Sequence, residues 1–394
     1  MTIRYIDGIE LKEKKVFIRA DFNVPLDKNQ NITDDIRIRE TIPTIQYALD
    51  KGGAVVVASH LGRPKGKVSK EFSLLPVQKR LSELLGKTVL FADDCIGNDA
   101  QAKAQGLKPG EVLLLENLRF YAEEEKNDAA FAQKLARLAD VYINDAFAVS
   151  HRAHASVEAI THFVQECGAG FLMKKEITSF EKAMNNPQRP LVAIIGGAKV
   201  SGKLEMLENI LKKVDAILIG GGMAFTFLKA QGLEVGKSLV EDDLIETAKT
   251  ILQHAQDRGV KIVLPSDCVA AREVKSCVPY KTLSVKEITP DLMGLDIGPA
   301  TINEFGSVIK AAKTIVWNGP MGVFEIEEFS RGTFSVIDQI AGSEAMSMVG
   351  GGDTDAALHK SGKTDKMSFV STAGGAFMEM LEGKVLPAIK ALDK

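Results

Sequence analysis

The chain has 394 residues, which is long for a single hydrophobic core and predicts two domains. Charged residues make up 26% and hydrophobic residues 45%, and a net charge of −3 gives no overall basic field to favour nucleic acid or an anionic membrane. There is no C-x-x-C pair, no apolar leader and no run of membrane-spanning length, so we expect a cytoplasmic protein with reduced thiols.

Short apolar, β-branched runs alternate with helical stretches along the first half of the chain. The runs are Lys15–Ala20, Ala54–Ser59, Val89–Ala92, Val112–Leu115 and Val141–Ile143. Such runs predict parallel strands that are covered by helices on both faces of a sheet. After them, Met173, Ile177, Phe180 and Met184 recur at spacings of four, three and four, which predicts an amphipathic connecting helix that stops at Asn185-Asn186-Pro187.

A second set of similar runs follows the connecting helix. These runs are Leu191–Ile195, Ala216–Ile219, Lys261–Leu264, Thr314–Trp317, Met346–Val349 and Met367–Val370. Two successive sets predict an α/β fold with two doubly wound parallel-sheet (Rossmann-like) domains, joined by a connecting helix and hinge. We place the domains at residues 1–171 and 172–394, the second including the connecting helix.

The residues that follow the strands of the first half are polar and mostly cationic. They are Asp21-Phe22-Asn23, Arg37 at or just before the next helix, His60-Leu61-Gly62-Arg63, Arg119 and His151-Arg152. Ligands of open α/β sheets bind beyond the carboxyl ends of the strands, and the arginine fork fits carboxylate and phosphate oxygens. The set therefore predicts a site for a small, multiply charged anion, although any one of these arginines taken alone reads better as a surface residue.

The histidines of the first half suggest a second, weaker interpretation. His60, His151 and His154 could be imagined as metal ligands, but no cysteine or carboxylate has a suitable spacing beside them. His60 is a better candidate for a hydrogen-bond donor to substrate than for a catalytic base.

The corresponding loops of the second half are rich in glycine. They read Gly196-Gly197-Ala198-Lys199, Gly220-Gly221-Gly222-Met223, Asn318-Gly319-Pro320-Met321-Gly322, Gly350-Gly351-Gly352-Asp353-Thr354 and Ser371-Thr372-Ala373-Gly374-Gly375. Glycine lets phosphate oxygens approach the main chain, and a helix N-terminus behind it attracts anions, so five such loops predict a phosphate-bearing ligand. Asp353 is equally consistent with a helix N-cap and with a Mg²⁺ ligand beside nucleotide phosphates.

Two nucleotide-binding motifs can be set aside. Gly197 and the Gly202-Lys203 pair have P-loop spacing, but Leu204 stands where the Mg²⁺-binding Ser or Thr should be. Lys199 and Lys203 are four residues apart and would share one side of a helix turn beginning there, so both could still reach phosphates. No G-x-G-x-x-G with a suitably placed acidic residue follows the first strand of either half, which weakens a dehydrogenase reading.

Taken together, these blocks resemble the phosphoglycerate kinase family over essentially the whole chain. The blocks are Asp21–Pro25, Ser59–Pro64, Glu116–Phe120, Gly196–Val200, Trp317–Glu325 and Gly351–Thr354. The resemblance implies transfer of a phosphoryl group between 1,3-bisphosphoglycerate and ADP, giving 3-phosphoglycerate and ATP in glycolysis and gluconeogenesis. It also implies Mg²⁺ as the cofactor, a monomer, closure of a hinge at residues 172–185, and a last segment, Val385–Leu392, that packs on the first domain.

The resemblance assigns roles to individual residues. Substrate binding falls to Asp21, Phe22, Asn23, Arg37, His60, Leu61, Gly62, Arg63, Arg119 and Arg152. Nucleotide binding falls to Lys203, Gly294, Glu325, Gly351, Gly352, Asp353 and Thr354, with Asp353 near the metal. Catalysis falls to Arg37, Lys199, Gly351 and Gly374.

The chain departs from the family pattern at two positions. Ala373 stands where many members have a third glycine, and Phe369 stands where a histidine often precedes Val-Ser-Thr. Ala373 is compatible with the same loop if its φ is negative and only its N–H is used. A non-catalytic nucleotide-binding or scaffold protein is the remaining alternative, and it would predict broken motifs, whereas the polar positions of these blocks are filled.

Overall fold

The computed structural model describes residues 3–393 and forms two compact units. The first unit contains residues 3–177 together with 385–393, and the second contains Thr178–Lys384. The boundary therefore falls inside the connecting helix rather than at its start, and the end of the chain belongs with the first unit. No helix within residues 3–393 combines the length and apolarity needed to cross a bilayer.

The first unit is built on a sheet of six parallel strands. The strands are β1 (Lys15–Ala20), β2 (Ala54–Ala58), β3 (Val89–Ala92), β4 (Val112–Leu115), β5 (Val141–Asp145) and β6 (Glu166–Ala169), in the order β3-β4-β2-β1-β5-β6. Its helices are α1 (Ile36–Asp50), α2 (Leu75–Leu85), α3 (Asn98–Gly106), α4 (Ala122–Glu125) and α5 (Ala129–Ala136). Strand residues such as Val16, Val55 and Val141 form one buried cluster with Ile38 and Val77 of the helices.

The sequence predicted five of these six strands and missed β6. β6 contains Gly168 and no β-branched residue, so it lacks the composition typical of a strand. A side chain at Gly168 would press on the Ile9 side chain and the Arg4 carbonyl oxygen, which explains the glycine.

The connecting helix α6 (Phe171–Phe180) continues as a π-helical turn, Glu181–Asn185. Met173, Ile177, Phe180 and Met184 are all buried, so the predicted apolar face is confirmed. Side chains of the first unit accept the free N–H groups at the start of α6. The N–H of Phe171 donates to Thr44 Oγ1 at 2.9 Å, and that of Met173 donates to Asp145 Oδ1 at 3.1 Å.

The second unit contains a six-stranded parallel sheet and a small antiparallel one. Its strands are β7 (Leu191–Ile195), β8 (Ala216–Ile219), β9 (Lys261–Val263), β10 (Asp267–Ala271), β11 (Tyr280–Ser284), β12 (Met293–Ile297), β13 (Thr314–Asn318), β14 (Met346–Val349) and β15 (Phe369–Val370). The parallel sheet has the order β15-β14-β13-β7-β8-β9, and the antiparallel sheet has the order β11-β10-β12. The sequence predicted the parallel strands but not β10, β11 and β12.

Helices flank the second parallel sheet. They are α7 (Leu204–Ile210), α8 (Met223–Ala230), α9 (Ile245–Asp257), α10 (Pro299–Ala311), α11 (Arg331–Ala341), α12 (Gly352–Ser361) and α13 (Gly374–Leu381). The last helix, α14 (Pro387–Leu392), lies on the first unit: Ala388 packs with Ala146, Val149 and Val157, and its N–H donates to Ser150 O at 3.1 Å.

In both parallel sheets the strand order reverses at a central pair. The reversal lies between β1 and β5 in the first unit and between β7 and β13 in the second. At such a point the neighbouring loops diverge and leave a crevice at the carboxyl ends of the strands. Of the predicted anion-site residues, Asp21, Phe22 and Asn23 follow β1, and two glycine loops follow β7 and β13.

Candidate active site

In the first unit, Asp21 lies directly after β1 and joins two cationic or imidazole side chains. Its side chain is 6% exposed and forms an ion pair with Arg37, while its Oδ1 lies 3.7 Å from His60 Nδ1. Arg37 stands in the first turn of α1 and remains one-third exposed. The Asp21 carboxylate therefore orients Arg37 while leaving part of the guanidinium open to a ligand.

Side-chain hydrogen bonds tie the loop after β1 to the loop after β2. The buried Phe22 uses its N–H to donate to Ser59 Oγ at 2.8 Å, and Asn23 Oδ1 accepts the N–H of Gly62 at 2.8 Å. Gly62 has φ of +62°, and a side chain there would overlap the ring of Phe72. The Asn23 and Gly62 pair is thus part of the frame that holds the loops in register.

The loop after β4 contributes Arg119, whose side chain is only 4% exposed. Its Nη1 donates to the carbonyl oxygen of Gly62 at 2.9 Å, and Nε lies 3.4 Å from Glu125 Oε1 without an aligned hydrogen bond. Burial, followed by the positive charge of Arg19, lowers the pKa of Arg119 to about 10, so it is charged at neutral pH. A buried guanidinium with an unbonded Nε is well suited to an anionic ligand.

The two remaining arginines of the predicted set, Arg63 and Arg152, are held less firmly by the surrounding loops. Arg63 is exposed, and no hydrogen bond or ion pair of its side chain is found within residues 3–393. Arg152 is half-buried, with Nε 3.2 Å from His151 Nε2, and lies close enough to Arg119 to help lower its pKa. Leu61 is buried, and its carbonyl oxygen accepts from Asn117 Nδ2 at 2.7 Å.

The sequence did not single out Arg19, Glu124 and Ser156, which form a buried polar group behind His60. All three side chains are fully buried. The sequence did contain one indication, the charged Arg19 inside the otherwise apolar run of β1. Residue spacing alone could not show that Glu124 and Ser156, which are distant in the chain, lie beside Arg19.

In the second unit, the glycine loops enclose a depression of about 410 Å³. Its lining is Gly197, Ala198, Lys199, Gly202, Lys203, Asn318, Gly319, Pro320, Gly351, Gly352, Asp353, Thr354, Gly374, Gly375 and Met378. Four of the five predicted glycine loops thus contribute to one site, and Lys199, Lys203 and Asp353 are its charged residues.

The two lysines do not share a helix turn, so that expectation is wrong. Gly197 has φ of +100°, and the chain runs through turns until α7 begins at Leu204. Lys203 Nζ donates to Gly196 O at 2.6 Å and to Asn318 Oδ1 at 2.6 Å, which joins the loops after β7 and β13. Burial lowers the pKa of Lys203 to about 8, and the opposing effect of Asp353 is smaller.

The N-termini of α12 and α13 meet at this depression. Gly351 has φ of +110°, and a side chain at Gly374 would lie 3.4 Å from the Gly352 nitrogen. Free N–H groups and helix dipoles therefore converge where an anion can approach. Ala373 precedes α13 with φ of −133°, so the condition on its φ is met.

Asp353 and Thr354 have different surroundings. Asp353 is exposed and lies inside the first turn of α12, and the cap position is Gly351, so the N-cap interpretation of Asp353 is wrong. Thr354 is fully buried, and its Oγ1 accepts the N–H of Gly319 at 2.7 Å. Thr354 thus braces the loop after β13.

Gly294 and Glu325 do not line the depression. The Gly294 N–H donates to Ser238 Oγ at 2.9 Å, and a side chain at Gly294 would overlap the ring of Phe225. Glu325 is exposed, two residues after Val323, whose N–H donates to Leu295 O at 2.9 Å. Gly294 therefore lies within β12, and Glu325 lies in a segment that is hydrogen-bonded to β12.

Comparison with known proteins matches this arrangement to one family. A family model described as phosphoglycerate kinase matches residues 6–384. Phosphoglycerate kinases of Geobacter metallireducens and of Geobacter sp. strain M21 are 60% and 59% identical to this chain, covering 100% of it and 99% of each relative. The chain belongs to the phosphoglycerate kinase family.

Solved structures of phosphoglycerate kinases share the fold. The structure from Coxiella burnetii aligns with a TM-score of 0.93 and 43% identity over 99% of both chains, and that from Pyrococcus horikoshii with 0.82 and 33% over 98% of both. The enzyme is therefore a kinase of glycolysis that transfers a phosphoryl group to and from a carboxyl group.

Proposed function

We propose that the first unit binds 3-phosphoglycerate or 1,3-bisphosphoglycerate and that the second binds ADP or ATP with Mg²⁺. The observation that supports this division most directly is the contrast between the two strand-end sites. One is framed by guanidinium and imidazole groups, whereas the other is framed by glycine main chain and two helix N-termini.

In the first unit, the cationic side chains fit a ligand with a carboxylate at one end and a phosphate at the other. Arg37 and Arg119 are held by Asp21 and by the Gly62 carbonyl, while Arg63 has no partner of its own within residues 3–393. Pre-oriented guanidinium groups bind such oxygens with little ordering cost, and Asn23, His60 and Arg152 complete the proposed set.

In the second unit, the main chain of Gly351, Gly352 and Gly374 fits nucleotide phosphates, with Lys203 beside them. No group of three or more His, Cys, Asp or Glu side chains within residues 3–393 could hold a metal alone. Mg²⁺ commonly takes one or two carboxylates and completes its shell with phosphate and water oxygens. The exposed Asp353 carboxylate suits that role, and the ion would neutralise phosphate charge. Gly294 and Glu325 are proposed to contact the nucleoside part.

The reaction breaks the bond between phosphorus and the acyl oxygen of 1,3-bisphosphoglycerate as a β-phosphate oxygen of ADP bonds to phosphorus. The departing carboxylate is stable without a proton, so no strong general acid or base is required. We assign Arg37 and Lys199 to stabilise charge on the transferred oxygens, together with the N-termini of α12 and α13. A closing motion about residues 172–185 would bring the two ligands in line and exclude water.

We also propose that the enzyme acts as a cytoplasmic monomer, in keeping with the family resemblance. Sedimentation velocity should give a single species near the chain mass of 42.6 kDa. A species of twice that mass at micromolar concentration would contradict the monomer.

The division of ligands is tested by calorimetric titration of two matched variants. We expect Arg63→Ala to weaken 3-phosphoglycerate binding about tenfold or more and to leave MgADP binding unchanged. Asp353→Asn should weaken MgADP binding, leave 3-phosphoglycerate binding unchanged, and have little effect on ADP in the presence of EDTA. Arg137→Ala, which removes an exposed arginine after α5, is the control. Parallel weakening of both ligands by either variant would contradict the assignment.

A further inference from the structure

Arg19 is a fully buried arginine of β1 whose guanidinium faces His60. Its Nε donates to Ser156 Oγ at 2.9 Å, its Nη1 donates to the carbonyl oxygen of Ala20, and its Nη2 lies 3.3 Å from His60 Nδ1. A guanidinium has five N–H donors and no acceptor. Each of these contacts therefore has Arg19 as the donor, including the contact with His60.

Glu124 and Ser156 hold the Arg19 side chain in this orientation. Ser156 Oγ donates to Glu124 Oε1 at 2.5 Å while accepting from Arg19, and Glu124 Oε2 accepts the Ser156 N–H at 2.9 Å. Glu124 Oε1 also lies 4.0 Å from Arg19 Nη2. The hydroxyl of Ser156 is thus a bridge between a buried cation and a buried carboxyl group, which fixes the guanidinium plane.

Two side chains lie near Nδ1 of His60, and a hydrogen bond to each would require a different protonation state of that nitrogen. Arg19, at 3.3 Å, requires a lone pair on Nδ1, whereas the Asp21 carboxylate, at 3.7 Å, would require a proton there. The contact with Asp21 is longer than a hydrogen bond. A neutral imidazole that accepts at Nδ1 carries its proton on Nε2. No hydrogen bond of His60 Nε2 is found within residues 3–393, so this N–H is available to a ligand.

The charges around His60 favour the neutral ring. His60 is 2% exposed, and burial is the largest cause that holds its pKa well below the usual value of 6.5. Arg19, Arg119, Arg37 and His154 act in the same direction, and the Asp21 carboxylate is the acidic group nearest to the ring. Burial and these neighbouring charges therefore both favour the neutral imidazole over the cation.

We propose that Arg19, held by Glu124 through Ser156, is a positioning residue that fixes His60 as the Nε2–H tautomer. His60 then meets 3-phosphoglycerate as a hydrogen-bond donor. The identity of the ligand in this proposal rests on the proposed function of the first unit, whereas the assignment of the His60 tautomer does not depend on it. In the other tautomer, the Nε2 lone pair would face an anionic ligand and repel it.

The first experiment observes the tautomer without any ligand. The full-length protein is labelled with ¹⁵N-histidine, and long-range ¹H–¹⁵N spectra separate protonated from unprotonated ring nitrogens. The chain has six histidines, and the His60 signals are identified by their loss in His60→Gln. We expect Nε2 protonated and Nδ1 unprotonated from pH 6 to pH 8. A protonated Nδ1, in either a cationic or a neutral ring, would overturn the proposal.

The second experiment removes the positioning group. Arg19→Met combined with Glu124→Gln takes away both buried charges together, so neither is left unpaired. We expect a mixture of His60 tautomers and a KM for 3-phosphoglycerate raised about tenfold or more, with a smaller change in kcat and none in the KM for ATP. Arg39→Met removes an exposed arginine paired with Asp35 and is the matched control.

The outcomes separate this proposal from the proposed function. A double variant that keeps the single Nε2–H tautomer would show that Arg19 does not set it and would overturn the proposal. If the double variant does not fold, the wild-type spectrum and the spectrum of Arg19→Lys decide by the same criteria. The single ammonium group of a lysine cannot make all three contacts of the Arg19 guanidinium. A third outcome is that the Nε2–H tautomer is present but its signals do not shift with saturating 3-phosphoglycerate. That result would show that His60 is not a substrate contact, and it would leave the tautomer assignment standing.

Discussion

Lys203 changes its charge just above neutral pH, because burial lowers the pKa of its ammonium group to about 8. Nucleotide phosphates bind the charged form. We therefore expect the affinity for MgADP to be constant below pH 8 and to fall above it, by up to tenfold per pH unit, since binding must then restore a proton.

Calorimetric titration of MgADP from pH 7 to pH 9.5 measures this dependence. Lys203→Met should bind MgADP more weakly at pH 7 but with an affinity that no longer changes across this range. An equally flat profile for the unaltered enzyme would contradict a role for the Lys203 charge.

Lys199 lines the same depression but is expected to act on the reaction rather than on nucleotide binding. If its ammonium group stabilises charge that develops on the transferred phosphoryl group, Lys199→Ala should lower kcat by about 10²–10³-fold and change the Kd for MgADP little. The coupled assay uses 3-phosphoglycerate, ATP and Mg²⁺ and follows NADH loss through glyceraldehyde-3-phosphate dehydrogenase. Lys249→Ala, on the exposed face of α9, is the control. Equal losses in kcat and in affinity would point to uniform binding.

The difference between Lys199 and Arg19 shows what sequence could predict about site residues. Lys199 stands in a glycine-rich loop after a strand, a position typical of phosphate contacts, and the structure places it on the lining of the depression. Arg19 reads as one charged residue in an apolar strand. Its role depends on Glu124 and Ser156, more than a hundred residues away in the chain, and local pattern carries no information about such a meeting.

At the scale of elements, the start of α6 depends on close contact between Gly170 and Asp145. A side chain at Gly170 would overlap the Asp145 carboxyl group, which accepts the Met173 N–H. We expect Gly170→Ala to lower the free energy of unfolding of the first unit by about 1–3 kcal/mol, because the carboxyl group must move away from the helix start.

Gly106→Ala is the matched control, since nothing lies within 4 Å of a side chain there and the residue ends α3. It should be neutral or slightly stabilising. Hydrogen exchange of the α6 amides, followed in both variants, measures the local effect. If the hydrogen-exchange protection of α6 is the same in Gly170→Ala as in Gly106→Ala, the start of α6 tolerates displacement of the Asp145 carboxyl group and the prediction is wrong.

The elements that the sequence predicted share one physical property. Parallel strands are buried on both faces, so β1, β2, β7 and β13 appear as continuous apolar runs that stand out in any window. The antiparallel β11 (Tyr280–Ser284) gave no such signal because it is largely exposed and its pattern resembles a loop. β10 and β12 are mostly buried, but their Asp, Ala and Gly residues are uncommon in strands and break up the apolar run. The sequence therefore reveals strands that are continuous apolar, β-branched runs, and neither burial nor strand formation alone is enough.

For the whole molecule, the last residues stabilise the unit that contains the first ones. Asp393 pairs with Ile3, and Ala388 of α14 fills a cluster with Ala146, Val149 and Val157. We expect deletion of residues 385–394 to weaken 3-phosphoglycerate binding and to reduce hydrogen-exchange protection of β5 and β6, because the deletion exposes this apolar cluster.

MgADP binding provides the internal control for the deletion. The nucleotide depression is lined only by residues 197–378, so its affinity should stay within about twofold. Loss of protection confined to the second unit would contradict the assignment of α14.

The first unit consists of residues 3–177 and 385–393, and the second unit lies between these two segments in the chain. Synthesis of the first unit is therefore completed only after synthesis of the second. A ribosome delivers every residue of Thr178–Lys384 before it delivers α14. Most of the second unit is therefore made, and can begin to fold, while the first unit still lacks its closing helix. Until α14 has been made and released, the nascent first unit has an open apolar cluster beside β5, and we expect a chaperone to be most useful to this enzyme during that interval.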